Sequence, residues 1–415
     1  MKRAALPTTV AFFLFASALG GCGKARRETP AEQRARERAT IERIRVEVAR
    51  VRGLRWKAPL DVRVVSRGEL RRQLQQTDVR DERPERDQSD EAILKLLKLI
   101  PQDLALKAAV DKLLAAEVVG FYDPQTKKLF VAGESDGKLS ADTQVTVAHE
   151  LDHALTDQHF DFGTATRALE EADRSEELSA YTALIEGDAV LLQSLWAQRY
   201  LSKNAQGSLG AELSGSGPDD TPSYLRQSLI FPYTKGLDFT FERYRTTRSF
   251  AGVDAAWRRP PTSTEEILHP ERYAEGQEWH APALPDAAAA ASCTQLRTGS
   301  LGEFDMQELL AEHLNERDAG RAADEWAGDA FSFVRCGTVA GLVDRWTTDD
   351  DVGAGRLIAG LKRWAQAWAA GRPADADGFF SGRGGAGRVR RVGGEVELVL
   401  AGDQATAARL ADALG

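Results

Sequence analysis

The sequence is poor in several features that define large classes of proteins. Three cysteines in 415 residues are too few for a disulfide-rich scaffold. After the N-terminal segment there is no run of about 18 uncharged apolar residues, so we expect no membrane-spanning helix in the body of the chain. The formal net charge of −9 lacks the basic excess of nucleic-acid binders, and we expect no nucleic-acid partner. The hydrophobic content of 42% is typical of a soluble globular protein.

The first 21 residues have the composition of a signal peptide. A basic start precedes a short apolar stretch at 10–19, and small residues follow it. Residues 19–22 (LGGC) resemble the lipobox of bacterial lipoproteins, which implies cleavage before Cys22 and acylation of this cysteine. We therefore predict an extracytoplasmic protein that the lipid at Cys22 anchors to a bacterial membrane. Gly23 is not the Asp of an inner-membrane retention signal, which favours the outer membrane, and ordinary secretion is the alternative.

The rest of the chain predicts an α+β protein with two structured domains. Residues 22–55 form a tether followed by an exposed amphipathic helix. Residues 56–285 carry mainly helical patterns together with one β-hairpin or small sheet. An alanine- and proline-rich stretch at 281–292 indicates a connection between domains. Short strand and helix patterns alternate over 286–415, which predicts a small ferredoxin-like α/β domain.

Two cysteines remain in the body of the chain, Cys293 and Cys336. In an oxidising compartment they can form a disulfide bond. Two separate buried thiols are an equal alternative, because the spacing does not fix the distance between their Cα atoms.

The strongest motif is the HELDH sequence at 149–153. It lies in a segment, 141–158, whose apolar residues recur at the spacing of a half-buried helix. Four residues make just over one turn, so His149 and His153 project from one face and can bind one metal ion. Glu150 lies beside them, where a carboxylate can take a proton from metal-bound water. We therefore predict one Zn²⁺ per chain, with both histidines as ligands and Glu150 as the catalytic base.

A catalytic zinc site needs a third protein ligand, and two residues compete for this position. Glu186 lies in an apolar helical stretch, 183–192, where a carboxylate is costly unless a cation neutralises it. Gly187 costs about 1 kcal/mol within a helix, which is tolerable if it permits close approach of a second helix. His159 has the spacing of the third ligand in the HExxHxxGxxH motif, but Thr156 stands where that motif has glycine. We favour Glu186 as the third ligand and keep His159 as the alternative.

An HExxH motif followed by a glutamate on a second helix resembles the gluzincin type of zinc metallopeptidase. More narrowly, the chain resembles a group of uncharacterised secreted or lipid-anchored zinc metallopeptidases of bacteria and archaea, over roughly residues 55–350. The resemblance implies a zincin-like fold for 56–285. It implies His149, His153 and Glu186 as metal ligands and Glu150 as the base, and it names no substrate. The stretches that carry it are 148–160 (AHELDHALTDQHF), 183–189 (ALIEGDA) and 260–273 (PPTSTEEILHPERY).

Three further features can contribute to such a site. If it lies near the metal, the imidazole of His269 or the hydroxyl of Tyr233 can stabilise the oxyanion that forms when water attacks a carbonyl. A purely structural role is the more common one for each of these residue types. A predicted hairpin, 118–122 with 128–131, precedes the metal-binding helix. Its second strand can pair with an extended peptide, or the hairpin can be an ordinary packed one.

The predicted function is that of a lipid-anchored extracytoplasmic zinc metallopeptidase. Glu150 would assist the attack of zinc-bound water on a peptide bond of a polypeptide substrate. One alternative is a binding lipoprotein with a non-catalytic zinc centre, although such a centre has no need of Glu150. The other alternative is a zinc amidase that acts on cell-wall material, because its water chemistry is the same.

Overall fold

The structure, a computed structural model, describes residues 29–81, 83–115, 118–203 and 221–414. It contains long helices and two separate sheets, so the predicted α+β class is confirmed. Within these ranges, no helix is long and apolar enough to cross a membrane. The predicted signal peptide, its cleavage point and Cys22 lie outside the described residues.

The N-terminal part of the described chain is mainly helical and contains a three-stranded sheet. Its elements in chain order are α1 (Pro30–Arg52), β1 (Asp61–Val65), α2 (Arg67–Asp81), α3 (Pro84–Leu97), α4 (Leu106–Ala115), β2 (Gly120–Asp123), β3 (Lys128–Ala132), α5 (Ala141–Phe160), α6 (Phe162–Glu171), α7 (Ser175–Tyr200), α8 (Ser223–Thr247), α9 (Ala251–Arg258), α10 (Thr264–Leu268) and α11 (Pro270–Glu275). Helix α7 contacts α1, α5, α6, α8 and α10 and is apolar around most of its circumference, as expected for an interior helix. The core of this region therefore surrounds α7.

The small sheet has the strand order β1-β3-β2, with β3 at its centre. Strand β3 pairs in parallel with β1 and antiparallel with β2, which confirms the predicted hairpin. Of the two alternatives for 128–131, pairing with an extended peptide is wrong and the ordinary packed hairpin is confirmed, because neighbouring strands already occupy both sides of β3. Among the described strands, β2 lies at an edge of this sheet, and it contacts α5.

The C-terminal part is built on a six-stranded antiparallel sheet of order β4-β5-β6-β9-β8-β7. Its elements are α12 (Ala287–Ala290), β4 (Thr294–Gly299), α13 (Gly302–Ala311), α14 (Glu316–Ala323), β5 (Trp326–Cys336), β6 (Val339–Thr348), α15 (Asp351–Trp368), β7 (Phe379–Gly382), β8 (Gly385–Val392), β9 (Glu395–Ala401) and α16 (Gln404–Ala413). The predicted ferredoxin-like topology is wrong, because that topology has four strands in the order βαββαβ. The sequence patterns missed β4 and β8, whose segments are polar or rich in glycine and arginine, and β7, which is only four residues long.

Helices cover both faces of the large sheet. In β9, Leu398 and Leu400 face a cluster with α13, α14 and α15, whereas Val399 and Ala401 face α12 and α16. The predicted connection at 281–292 therefore contains a helix, α12, that packs into the core of the sheet. Next to it, a disulfide bond between Cys293 and Cys336 joins the start of β4 to the end of β5, which decides between the two alternatives for these cysteines.

Several contacts join the helical region to the large sheet, and two of them bear on the position of α7 and α3. Helix α3, which the sequence assigned to the first domain, buries its apolar face in the core of the sheet through Ile93, Leu96 and Leu97. At the start of α7, the Glu176 carboxylate accepts hydrogen bonds from the backbone N–H and the hydroxyl of Thr264. The Thr264 hydroxyl oxygen in turn accepts the N–H of Phe304, so α7, α10 and α13 are held together. The first turn of α7, the helix that carries Glu186, is thus anchored at the junction of the two regions.

Candidate metal centre

Three side chains predicted as metal ligands lie together between α5 and α7, and we call His149, His153 and Glu186 the helical centre. The two imidazoles are perpendicular, with ring centroids 4.5 Å apart. Glu186 Oε2 lies 3.1 Å from His149 Nε2 and 3.4 Å from His153 Nε2. In a tetrahedral site with zinc–ligand bonds of 2.0–2.1 Å, ligand atoms are about 3.3 Å apart. The donor atoms therefore have the chemistry and the spacing that fit a zinc ion.

The carboxylate of Glu186 is buried against the two histidines. Burial would raise the pKa of this carboxyl group, but the adjacent His153 and His149 lower the pKa below its ordinary value. The side chain is only 17% exposed, so the carboxylate is held among groups that can neutralise it. The sequence favoured Glu186 because a carboxylate in an apolar helix needs a compensating partner. Its surroundings in the structure agree with this reason.

His149 is oriented by a residue that the sequence analysis missed. Its Nδ1 lies 3.0 Å from Oε1 of Gln193, so an Nδ1–H donates to this amide oxygen. This tautomer leaves the Nε2 lone pair directed toward Glu186, as a metal ligand requires. Gln193 follows Glu186 by seven residues, or two turns, on the same face of α7. This seven-residue spacing is the signal from which the sequence could have identified Gln193 as part of the site.

Glu150 is hydrogen-bonded to the edge strand of the small sheet. Its Oε2 accepts the backbone N–H of Tyr122 in β2, at 2.8 Å. Burial raises the pKa of Glu150 to about 7, with His149 lowering it and Glu186 raising it by smaller amounts. A carboxylate with a pKa near neutrality is suited to accept and return a proton. The backbone contact with Tyr122 carried no signal in the sequence.

The hairpin is fixed to α5 one turn beyond His153. The buried carboxylate of Asp157 accepts hydrogen bonds from the hydroxyl of Tyr122 at 2.6 Å and from Nζ of Lys127 at 2.6 Å. It also accepts the N–H of Gly163 at 3.1 Å. These bonds hold β2 against the helix that carries the histidines, so the position of the strand relative to Glu150 is well determined.

Helices α7 and α8 approach closely beside Glu186, as the sequence predicted from Gly187. A Cβ atom at Gly187 would overlap the carbonyl oxygen of Gly236, and a Cβ at Gly236 would overlap the carbonyl oxygen of Ala183. Only glycine therefore allows this helix crossing. The approach brings Tyr233, one turn before Gly236 in α8, next to the helical centre.

Tyr233 lies at the opening of the helical centre. Its ring is 6.2 Å from the ring of His149, nearly parallel to it, and 40% of the residue is exposed. The negative charge of Glu186 is the largest cause that raises the pKa of the Tyr233 hydroxyl well above its ordinary value. The hydroxyl is therefore a protonated hydrogen-bond donor beside the metal ligands.

Two other histidines singled out in the sequence lie elsewhere. His159 Nε2 is 2.8 Å from the carbonyl oxygen of Arg55 and is not part of the helical centre. His269 does not meet the condition of lying near this metal site, because its Nε2 is 2.9 Å from Glu303 in a separate group of side chains. The Pro270 that follows His269 directs it into the junction between α10 and α11.

Comparisons with known proteins return no match. No protein-family model, no curated protein and no solved structure is significantly similar to the chain. The interpretation of the helical centre rests on its residues and its geometry.

A buried ion cluster lies behind the metal-binding face of α5 and α7. Arg52, at the end of α1, lies 2.9 Å from Asp188, 2.7 Å from Asp254 and 3.8 Å from Asp152. The indole N–H of Trp257 donates to Asp188 at 2.7 Å. Asp152 directly precedes His153 on α5 and Asp188 follows Glu186 by two residues on α7, so the single guanidinium joins both helices from behind.

Proposed function

We propose that the chain is an extracytoplasmic zinc metallopeptidase of the gluzincin type, anchored by lipid at Cys22, that hydrolyses peptide bonds. The observation that carries the proposal is the convergence of His149, His153 and Glu186 on one point, with Glu150 beside them. A purely structural zinc site has no use for a second carboxyl group with a pKa raised to about 7.

Each side chain has a role that its surroundings permit. His149, His153 and Glu186 would hold the zinc ion, and Gln193 would keep His149 in the tautomer that binds it. A bound zinc ion supplies a Lewis acid that lowers the pKa of water and polarises a carbonyl group. Glu150 takes a proton from the attacking water and returns it to the leaving amine.

Tyr233 and strand β2 are suited to contact the substrate. The hydroxyl of Tyr233 is protonated and lies beside Glu186, so it can donate a hydrogen bond to the oxyanion that forms at the attacked carbonyl. An extended polypeptide that adds to the edge of β2 would pass Glu150, because the N–H of Tyr122 already contacts this carboxylate. The proposed substrate is therefore a polypeptide in extended conformation.

The test compares Glu150→Gln with the parent chain. The variant should keep its zinc and lose about 10²- to 10⁴-fold in the hydrolysis of a fluorescently labelled unfolded protein. Glu171→Gln, at an exposed position of α6, is the matched control and should keep full activity. Unchanged turnover in Glu150→Gln would contradict the proposed role of this residue.

Two results with the parent chain would favour the alternative functions. Zinc binding without cleavage of unfolded proteins or of peptidoglycan fragments would favour a binding lipoprotein. Release of amide-linked fragments from peptidoglycan alone would favour a cell-wall amidase.

A further inference from the structure

A second group of potential metal ligands lies at the junction of the two regions. It consists of His269, Glu303 and Asp324, whose donor atoms are all within 4.8 Å of one another, and we call it the junction cluster. His269 lies between α10 and α11, Glu303 in the first turn of α13, and Asp324 directly after α14. His269 Nε2 is 2.9 Å from Glu303 Oε1 and 3.5 Å from Asp324 Oδ1. One imidazole nitrogen therefore faces two carboxylates at once.

Glu303 is the least satisfied member of the cluster. The residue is 2% exposed, and its Oε2 is buried without a hydrogen-bond partner among the described residues. An isolated buried carboxylate is costly, so its charge needs a compensating cation. His269 reaches only the other oxygen of Glu303.

The nearby arginine does not supply this compensation. Arg272 Nη1 donates to Oε1 of Glu265 at 2.6 Å, and Glu265 is itself 1% exposed. Arg272 Nη2 lies 3.7 Å from Asp324, beyond hydrogen-bond distance. One guanidinium thus faces the carboxylates of Glu265, Glu303 and Asp324, so carboxylates outnumber the arginine in this group by two.

We propose that His269, Glu303 and Asp324 bind a second divalent metal ion, of the zinc class, separate from the helical centre. An imidazole nitrogen and two carboxylate oxygens are donors that zinc accepts. The free Oε2 of Glu303 is a further donor atom inside the cluster.

The position of the cluster gives this ion a structural role. The ion would connect the segment between α10 and α11 to the start of α13 and to the residues before β5. These elements belong to the helical region and to the large sheet, so the ion would fasten one region to the other. The Asp324 side chain is 43% exposed, which leaves a path for the ion to enter from solvent.

Zinc content of the full chain, measured after equilibration with ZnCl₂ and removal of loose ions, tests the proposal. We expect two zinc ions in the parent, one in Glu303→Gln and one in the double variant His149→Ala with His153→Ala. Glu308→Gln, on the same helix but outside the cluster, is the matched control and should bind two.

Asp324→Asn provides a second variant that does not alter a buried side chain. In the background of the double histidine variant, zinc should raise the melting temperature, and this shift should disappear when Asp324→Asn is added. This readout does not depend on hydrolysis.

The outcomes separate this proposal from the proposed function. A single zinc in the parent that is lost in the double histidine variant would overturn the second site and leave the helical centre intact. A single zinc that is lost only in Glu303→Gln would support the second site and count against the helical centre. Two zinc ions in Glu303→Gln and in Asp324→Asn would also overturn the proposal.

Discussion

The helical centre and the junction cluster offer similar donor atoms on different supports. The helical centre projects from two long helices, α5 and α7, that pack in the interior of the helical region. The junction cluster is assembled from three short stretches of chain, none of them within a helix interior. In the first, helix packing positions the ligands before any ion binds. In the second, buried negative charge is left for an ion to neutralise. The two sites should therefore respond to different substitutions.

The largest effect is expected from Arg52→Met, which removes the cation that joins α5 and α7 from behind. The variant leaves the carboxylates of Asp152 and Asp188 buried without their partner, and loss of one member of a buried ion cluster costs about 3–5 kcal/mol. Methionine can still pack on Phe250, against which the guanidinium lies at 4.5 Å. The free energy of unfolding, from urea titration, measures the loss.

Arg245→Met on α8 is the control for this variant. Arg245 forms an exposed pair with Glu242, three residues earlier, and such pairs contribute about 0–1 kcal/mol. Equal losses of stability in Arg52→Met and Arg245→Met would show that the buried ion cluster does not support the helical centre.

The next largest effect is expected from Gly187→Ala. The added methyl group would overlap the carbonyl oxygen of Gly236, so α7 and α8 must separate, at a cost of about 3 kcal/mol. The separation would also move Glu186 relative to Tyr233 and weaken zinc binding at the helical centre. Thermal unfolding and zinc titration of the same preparation measure both effects.

Gly355→Ala is the matched control, because it makes the same change in a different helix. Gly355 lies in α15, and a Cβ atom there would meet no other atom within 4 Å. Alanine should therefore raise the stability by about 0.5–1 kcal/mol, through the lower backbone entropy of the unfolded chain. A fall in stability at both positions would show that helix separation is not the cause at Gly187.

The comparison also explains which site the sequence could predict. His149 and His153 are four residues apart in one helix, and Glu186 is a lone carboxylate in an apolar helix, so periodicity and composition identify all three. The members of the junction cluster are separated by 34 and 21 residues, and no spacing rule relates residues so far apart. Their proximity arises from the packing of α10 against α13, which sequence patterns do not encode.

The fold shows the same division between local and long-range information. Strong periodicity located α5 and α7, and the hairpin of β2 and β3 was visible from its turn. Strand order was not visible, so a free edge on β3 remained one of two alternatives although the strand lies in the centre of the sheet. In the large sheet, β4 and β8 gain their apolar contacts only from neighbouring strands and helices, and their own residues are largely polar or glycine.

The smallest effect is expected from Glu308→Gln on helix α13. Compared with Glu303→Gln, it distinguishes a carboxylate that is only buried from one that binds a metal ion. Burial, and then Glu312 and Glu316, raise the pKa of Glu308 to about 7. In the unfolded chain this pKa is about 4.3, so the folded chain binds more protons between these values and its stability falls as pH rises through this window. Glu308→Gln has no charge to bury. This variant should therefore be more stable than the parent at pH 8 and equally stable near pH 4. We expect a difference of about 1 kcal/mol at pH 8, because partial exposure of the side chain reduces the full effect.

Zinc should not change this difference, because Glu308 lies outside the junction cluster. The difference between Glu303→Gln and the parent should instead change sharply when zinc is removed with a chelator, since only the parent would lose a bound ion there. Thermal unfolding at both pH values, with and without zinc, measures the two variants side by side. If the chelator changed the stability difference from the parent equally for both variants, both carboxylates would be merely buried. The different structural supports of the two sites would then have no consequence for metal binding.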